Sequence, residues 1–234
     1  MALYGREATL RSPALIEVRS ILPRVYTLMA LGLLATAGMA VFTYNNAIEW
    51  LVENPGIMFG AIIAELVLVL ALSFLLRRLS PAVAATMFFA YALVNGFTLS
   101  IIFLVYDLGS IGAAFFTTAG LFGAMSVIGI TTKTDLTKMG SYLMMGLIGL
   151  LIAVVVNMFM NSGPLGLLIS IVGVIIFTGL TAYDTQKIKR MAEDPNLDLG
   201  SDDAMKLSIW GALTLYLDFI NLFLFVLRLF GRRD

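Results

Sequence analysis

The chain alternates long apolar runs with short polar breaks. The runs cover residues 25–44, 56–76, 82–106, 111–131, 140–160, 165–185 and 207–230. Each is close to the ~20 apolar residues that one helix needs to cross a bilayer. None shows the sustained two-residue alternation of a barrel strand, so the pattern predicts an all-α membrane protein with seven transmembrane helices. The breaks are short except for the polar stretch 186–206. The expected organisation is a cytoplasmic N-terminal segment, 1–24, one helical membrane domain, 25–230, and a tail, 231–234.

Basic residues set the expected orientation. Arg6, Arg11, Arg19 and Arg24 precede the first run. The second break holds Arg77 and Arg78, the fourth Lys133 and Lys138, and the sixth Lys187, Lys189, Arg190 and Lys206. The first, third and fifth breaks hold no Lys or Arg. Cytoplasmic loops carry the Lys/Arg excess, so the N-terminus is expected in the cytoplasm. The early arginines are scattered and the apolar run after them is too long for a signal-peptide core, so the first span is expected to remain in the mature protein. The seventh run breaks the alternation, because a full crossing leaves Arg228, Arg232 and Arg233 outside. A re-entrant segment would avoid this, but it needs a Gly or Pro near its middle, and none occurs between Gly211 and Gly231. The preferred reading is a seventh crossing helix, held by packing rather than by flanking charge.

Composition narrows the chemistry. Hydrophobic residues make up 60% of the 234, charged residues 13%, and the mean hydropathy is +0.96. A soluble domain is about 45–50% apolar and about 25% charged, so a water-soluble fold is excluded. Net charge is zero, which leaves no footprint for nucleic acid. Cys and His are both absent. Disulfides, thiol chemistry, His-based metal sites and Ser-His or Cys-His nucleophiles are thereby excluded, as is the usual pH switch. If the chain responds to protons or cations, side-chain oxygens must do it, and they suit hard ions such as calcium or sodium. No cofactor is expected; the bilayer and a permeant cation are the expected partners.

Two aspartates stand out against this background: Asp184 near the end of the sixth run and Asp218 within the seventh. A charge in hydrocarbon costs at least ~2.5 kcal/mol, so such acids are functional candidates. On the seventh run Gly211, Thr214, Asp218 and Asn221 recur at helical spacing, opposite Leu213, Leu217, Ile220, Leu222, Phe223 and Leu224. A polar stripe of this kind is expected to face protein or water, which turns Asp218 inward. Asp184 either faces Asp218 or is an interfacial acid paired with Lys187 or Lys189. If the two acids meet, they share a proton and titrate as a coupled pair, and they form a weak candidate calcium site. Arg77 and Arg78 are the cations at a suitable depth to latch onto an ionised pair. Glu65 is a third membrane acid, expected in the outer half, where it lines a vestibule or finds a hydroxyl. Tyr91, Asn95 and Thr98 form a polar stripe on the third run, and Asn157 adds an amide on the fifth. Thr214, Asn221, Glu65 and Asn95 are the candidate polar pore residues. Small residues Ala113, Ala114, Gly120, Gly123, Ala124, Gly146 and Gly149 are expected at close helix contacts.

The segments GLTAYDTQKIK and GALTLYLDFINLFLFVLR, with ITTKTDLTKMG ahead of the fifth run, resemble the transmembrane Bax inhibitor motif family, in particular its bacterial members. The resemblance implies six helices in two layers around a central, C-terminal seventh. It also implies a proton-sensitive calcium leak in which Asp184 and Asp218 form the pH-sensing dyad and Arg77 or Arg78 the latch. Bacterial relatives are further linked to membrane proteases and stress responses. Acids in the sixth break, Glu193, Asp194, Asp198, Asp202 and Asp203, either attract cations or simply solvate a loop.

The leading expectation is therefore a non-enzymatic, pH-gated cation leak in an inner membrane. A second is a non-transporting regulator that binds another membrane protein, such as a protease. An intramembrane aspartyl protease is disfavoured: Tyr183-Asp184 suits that chemistry, but Leu217 stands where a Gly-x-Gly-Asp motif needs glycine.

Overall fold

The computed structural model describes residues 13–194, 197 and 201–231, with side chains from residue 21 onward. Arg6, Arg11, Asp198, Arg232 and Arg233 lie outside the described residues, and so do the segments 1–12 and 232–234. Among the described residues the main elements are eight helices: α1 Pro13–Glu53, α2 Pro55–Leu75, α3 Pro81–Leu99, α4 Ile102–Val105, α5 Leu108–Thr131, α6 Thr137–Met160, α7 Gly163–Ala192 and α8 Asp202–Phe230. A single 3-10 turn, Leu76–Arg78, joins α2 to α3. Seven of these segments are long and apolar enough to span a membrane, α3 and α4 together making the third.

The helix starts follow from local chemistry. Ser80 and Asp107 accept hydrogen bonds from the backbone N–H groups of Val83 and Ser110, and Ser162 and Ser201 do the same for Leu165 and Ala204. Each satisfies a donor that the first turn would leave unpaired. Proline stands in the first turn of α2, α3 and α7, where its missing N–H costs nothing. Asn161 closes α6 in the left-handed conformation, φ 48°. Helices extend past the apolar runs because their ends are polar residues that suit an interface. The first span is embedded in a helix of 41 residues, and α7 runs through Lys187, Lys189 and Arg190 to Ala192.

Helix α8 is the core. Over half of its most apolar window is buried (56%), against 6% for α6. It packs against α1, α3, α5 and α7, while α2 lies on α3 and α6 lies on α7. This is the expected arrangement of a central seventh span within two layers. The helix crosses as one piece. It starts at the end where Lys206 donates to the Arg77 carbonyl and finishes with Gly231 against Tyr106, at the opposite end of the bundle. The seventh run therefore does cross, and Arg228 stands at the opposite end from Arg77.

The small-residue expectation needs correction. Gly120, Gly123 and Gly149 have open space where a Cβ would stand, and Ala113 and Ala124 are exposed. Only Ala114 and Gly146 of that set touch a neighbour helix or the core. The close approaches are elsewhere. A Cβ on Gly173 would meet the Phe225 ring of α8 at 2.6 Å, and one on Gly129 would meet the Ala182 carbonyl of α7 at 2.5 Å. Gly140 abuts Tyr183 and Gly96 abuts Thr36. Lipid tolerates a small residue as readily as a large one, so composition alone does not select the packed face.

Candidate functional site: a buried carboxylate pair

The antiparallel register of α7 and α8 fixes the depth of the two aspartates. Gly211 sits beside Ile188, and Phe225 beside Gly173. That register sets Asp218 level with Thr181, three residues and ~4.5 Å along the axis from Asp184. Both carboxylates are buried, at 7% exposure for Asp184 and 5% for Asp218. Asp184 is thus an inward acid rather than an interfacial one. The charge of Asp184 reaches Asp218, and that of Lys187 reaches Asp184.

No hydrogen bond joins the two acids in this conformation, and Asp218 Oδ2 is buried without any partner among the described residues. An unpaired oxygen of this kind is costly when ionised and tolerable when it holds a proton or meets water. Lys189 does not serve as the partner. Its Nζ donates to the Ile130 carbonyl at 2.9 Å and lies 3.8 Å from Glu193. Lys187 Nζ stands over the Trp210 ring, 5.0 Å from the centroid. Among the described residues no group of three or more acids could hold a metal, and two carboxylates fall short of the six to eight oxygens that calcium takes.

The surrounding segments are tied to α7 through Gln186 and Asp135, which no pattern in the sequence singled out. Gln186 is buried; its Oε1 accepts from Leu136 N at 2.9 Å and its Nε2 donates to the Thr134 carbonyl at 2.8 Å. Arg190 pairs with Asp135 at 2.8 Å. The ITTKTDLTKMG and GLTAYDTQKIK segments are therefore one hydrogen-bonded unit. From α1, the Tyr26 hydroxyl lies 3.3 Å from Thr185 Oγ1. Outside the membrane, the Asp135 carboxyl is pulled down to about 2 by hydrogen bonds from the Thr137 hydroxyl and backbone and then by Arg190.

The other candidates separate into two groups. Thr214 and Asn221 are not enclosed with Asp218. They lie on the half-exposed stripe of α8 that includes Trp210, Leu217, Leu224 and Arg228, and each donates to its own helix, to the Trp210 and Leu217 carbonyls. The expected contrast of polar-in against apolar-out fails because α8 is covered on nearly every side; Leu213 and Leu222 are more buried than Thr214. Glu65 and Asn95 form a different cluster. The Glu65 carboxylate accepts from Asn95 Nδ2 and from Thr98 Oγ1 at 3.1 Å. Asn95 Oδ1 accepts from the Tyr216 hydroxyl at 2.9 Å, and that hydroxyl lies 2.6 Å from Thr36 Oγ1. Glu65 thus has the hydroxyl partner the sequence allowed for. Tyr216 and Thr36 were not foreseen.

Arg77 and Arg78 are exposed on the 3-10 turn, and neither forms an ion pair with Asp184 or Asp218 among the described residues. Asn157 accepts from Ser162 N at 3.1 Å and so braces the α6–α7 turn. In the sixth break Glu193 pairs with Lys189, while Asp202 and Asp203 form the first turn of α8, where negative charge complements the helix dipole.

Comparison with known proteins adds three relatives and a family. Residues 18–234 match the family profile described as "Inhibitor of apoptosis-promoting Bax1". The chain is 46% identical over 229 residues to "Inner membrane protein YbhL" of Escherichia coli K12, covering 95% of this chain and 97% of that one. It is 48% identical over 214 residues to a protein of Borreliella burgdorferi, 91% of each chain. A Deinococcus radiodurans protein is 41% identical over 228 residues, 97% of this chain and 96% of its own.

Proposed function

Because the chain belongs to the family of inhibitors of apoptosis-promoting Bax1, we propose that it is a proton-gated cation leak, with calcium as the permeant ion, and not an enzyme. The family membership bears out the resemblance carried by the segments around Asp184 and Asp218. One observation supports the gating: two carboxylates lie buried within a helical turn of each other, on the two most buried spans, and Asp218 Oδ2 has no hydrogen-bond partner among the described residues. Two such groups in a low dielectric cannot both ionise cheaply. A proton held by either acid lets the pair stay buried between α7 and α8. Its loss leaves two like charges there and loosens the contact between the helices. The path then opens past Asp218 between the cavities at the two ends of α8. Neither of these cavities is lined by Asp184 or Asp218, which is consistent with a closed state. Lys187 on α7 and the Tyr26 hydroxyl from α1 are the other titratable groups at this level. An entering cation, or Arg77 or Arg78 swinging inward, would neutralise the ionised pair.

The E. coli relative is an inner membrane protein by name, and an inner membrane is proposed here, with the N-terminus cytoplasmic from the Lys/Arg bias. Calcium flux into proteoliposomes of the purified protein, followed across pH, tests the mechanism. Wild type should show pH-dependent flux; Asp184→Asn and Asp218→Asn should each flatten it. Unchanged pH dependence in both variants would end the proposal.

A second reading is a regulator of another membrane protein. It draws on α6, where Met144, Met145, Met158 and Phe159 are exposed on a helix that is almost unburied; methionine-rich faces adapt to varied partners. Stoichiometric crosslinking through α6, with no flux in the purified protein, would favour it.

A further inference from the structure

We propose that the cavity at the basic end of α8 binds the headgroup of an anionic phospholipid. Neither Asp184 nor Asp218 lines this cavity, although Lys187 is common to it and to the surroundings of Asp184. A cavity of about 850 Å³ lies between the end of α2, the end of α7 and the first turns of α8. Arg77 from the turn after α2, Lys187 from α7 and Lys206 from α8 line it, together with Asp194, Asp203 and Trp210. No carboxylate lies within ion-pair distance of any of the three cations among the described residues. Lys206 Nζ instead reaches the Arg77 carbonyl at 3.5 Å, and Lys187 Nζ rests over the Trp210 ring. Three cations against two carboxylates leave the lining net positive, and Arg78 adds a further exposed charge on the same turn as Arg77.

The occupant follows from position and shape. The cations stand at helix ends, the level of lipid phosphates, beside a tryptophan of the kind that anchors at the interface. Basic pockets between transmembrane helices hold acidic headgroups. Below the cations the half-exposed stripe of Trp210, Thr214, Leu217 and Asn221 runs down α8. Their partial exposure offers an acyl chain a face of α8 to lie on, and α2 packs chiefly on α3 and α6 chiefly on α7. A soluble phosphate would use the cations but not that face.

Trp210 supplies the readout. Trp50, at the far end of α1, is the other tryptophan, and Trp50→Phe leaves Trp210 as sole reporter. In phosphatidylcholine nanodiscs with a minor fraction of brominated lipid, brominated phosphatidylglycerol should quench Trp210 well beyond brominated phosphatidylcholine. Lys206→Gln should lower that preference about fivefold, as loss of one interfacial cation predicts, whereas Lys138→Gln, outside the cavity, should leave it unchanged. Equal quenching by the two lipids, or an equal loss in the Lys138 variant, would overturn the site. Displacement by millimolar inorganic phosphate would assign it to a free anion and overturn the lipid. Native mass spectrometry of the wild type needs no substitution: retention of phosphatidylglycerol over phosphatidylcholine is expected, and equal retention would refute the site.

Discussion

Asp218 and Tyr216 are two residues apart on α8 and do opposite jobs. The Tyr216 hydroxyl is fully paired, between Asn95 and Thr36, and its ring stands edge-on to Phe88 and Tyr91. It locks α8 to α1 and α3. Tyr216→Phe should cost about 1–3 kcal/mol, the penalty for stranding buried polar groups, read as a lower unfolding midpoint in detergent. Asp218 is the unsatisfied neighbour, and its substitution should alter gating more than stability. If the two aspartates act as one unit, the double variant Asp184→Asn, Asp218→Asn should be no flatter in pH response than either single one; additive effects would mean two separate sensors. Asp135 serves as a control. Its carboxyl is depressed to about 2, so its contribution is present above the ordinary carboxylate range and is lost only as pH falls through about 2. Asp135→Asn should therefore leave the gating pH of calcium flux unmoved near neutrality.

At the level of helices, the apolar runs were legible because each fills a bilayer, and all seven appear in the structure. Their ends were less so: polar residues that continue a helix beyond hydrocarbon carry no hydropathy signal, which is why α1 and α7 outrun their apolar cores. The aspartates were visible singly, since a charge in a membrane span is conspicuous. Their depth match was not, because it depends on the register that Gly173 and Gly211 set. The Glu65–Asn95–Tyr216 chain spans 121 positions between its last two members, a pairing no local pattern encodes. Glycines make the same point. Gly173→Ala should destabilise by about 1–3 kcal/mol through overpacking against Phe225. Gly123→Ala, in open space, should be neutral or gain up to about 1 kcal/mol of helix propensity. Parallel unfolding curves in detergent separate the two; equal shifts would contradict the assignment of the packed face.

Across the whole bundle, the crossing of α8 is the feature the charge rule resisted. A chain without cysteine is convenient here. Single cysteines at Arg78→Cys and Arg228→Cys should react with a membrane-impermeant maleimide from opposite sides of oriented vesicles; labelling from one side only would mean α8 turns back. With the N-terminus in the cytoplasm, as proposed, packing has to outweigh the arginines near its end, and α8 is enclosed by α1, α3, α5 and α7. Of the seven spans, the innermost is also the last to leave the ribosome. The faces of α1, α3, α5 and α7 that pack on α8 therefore have no such partner until translation has passed residue 230. A chain stopped before that point would leave Val25, Phe88, Phe122 and Ile188 without the helix they pack against.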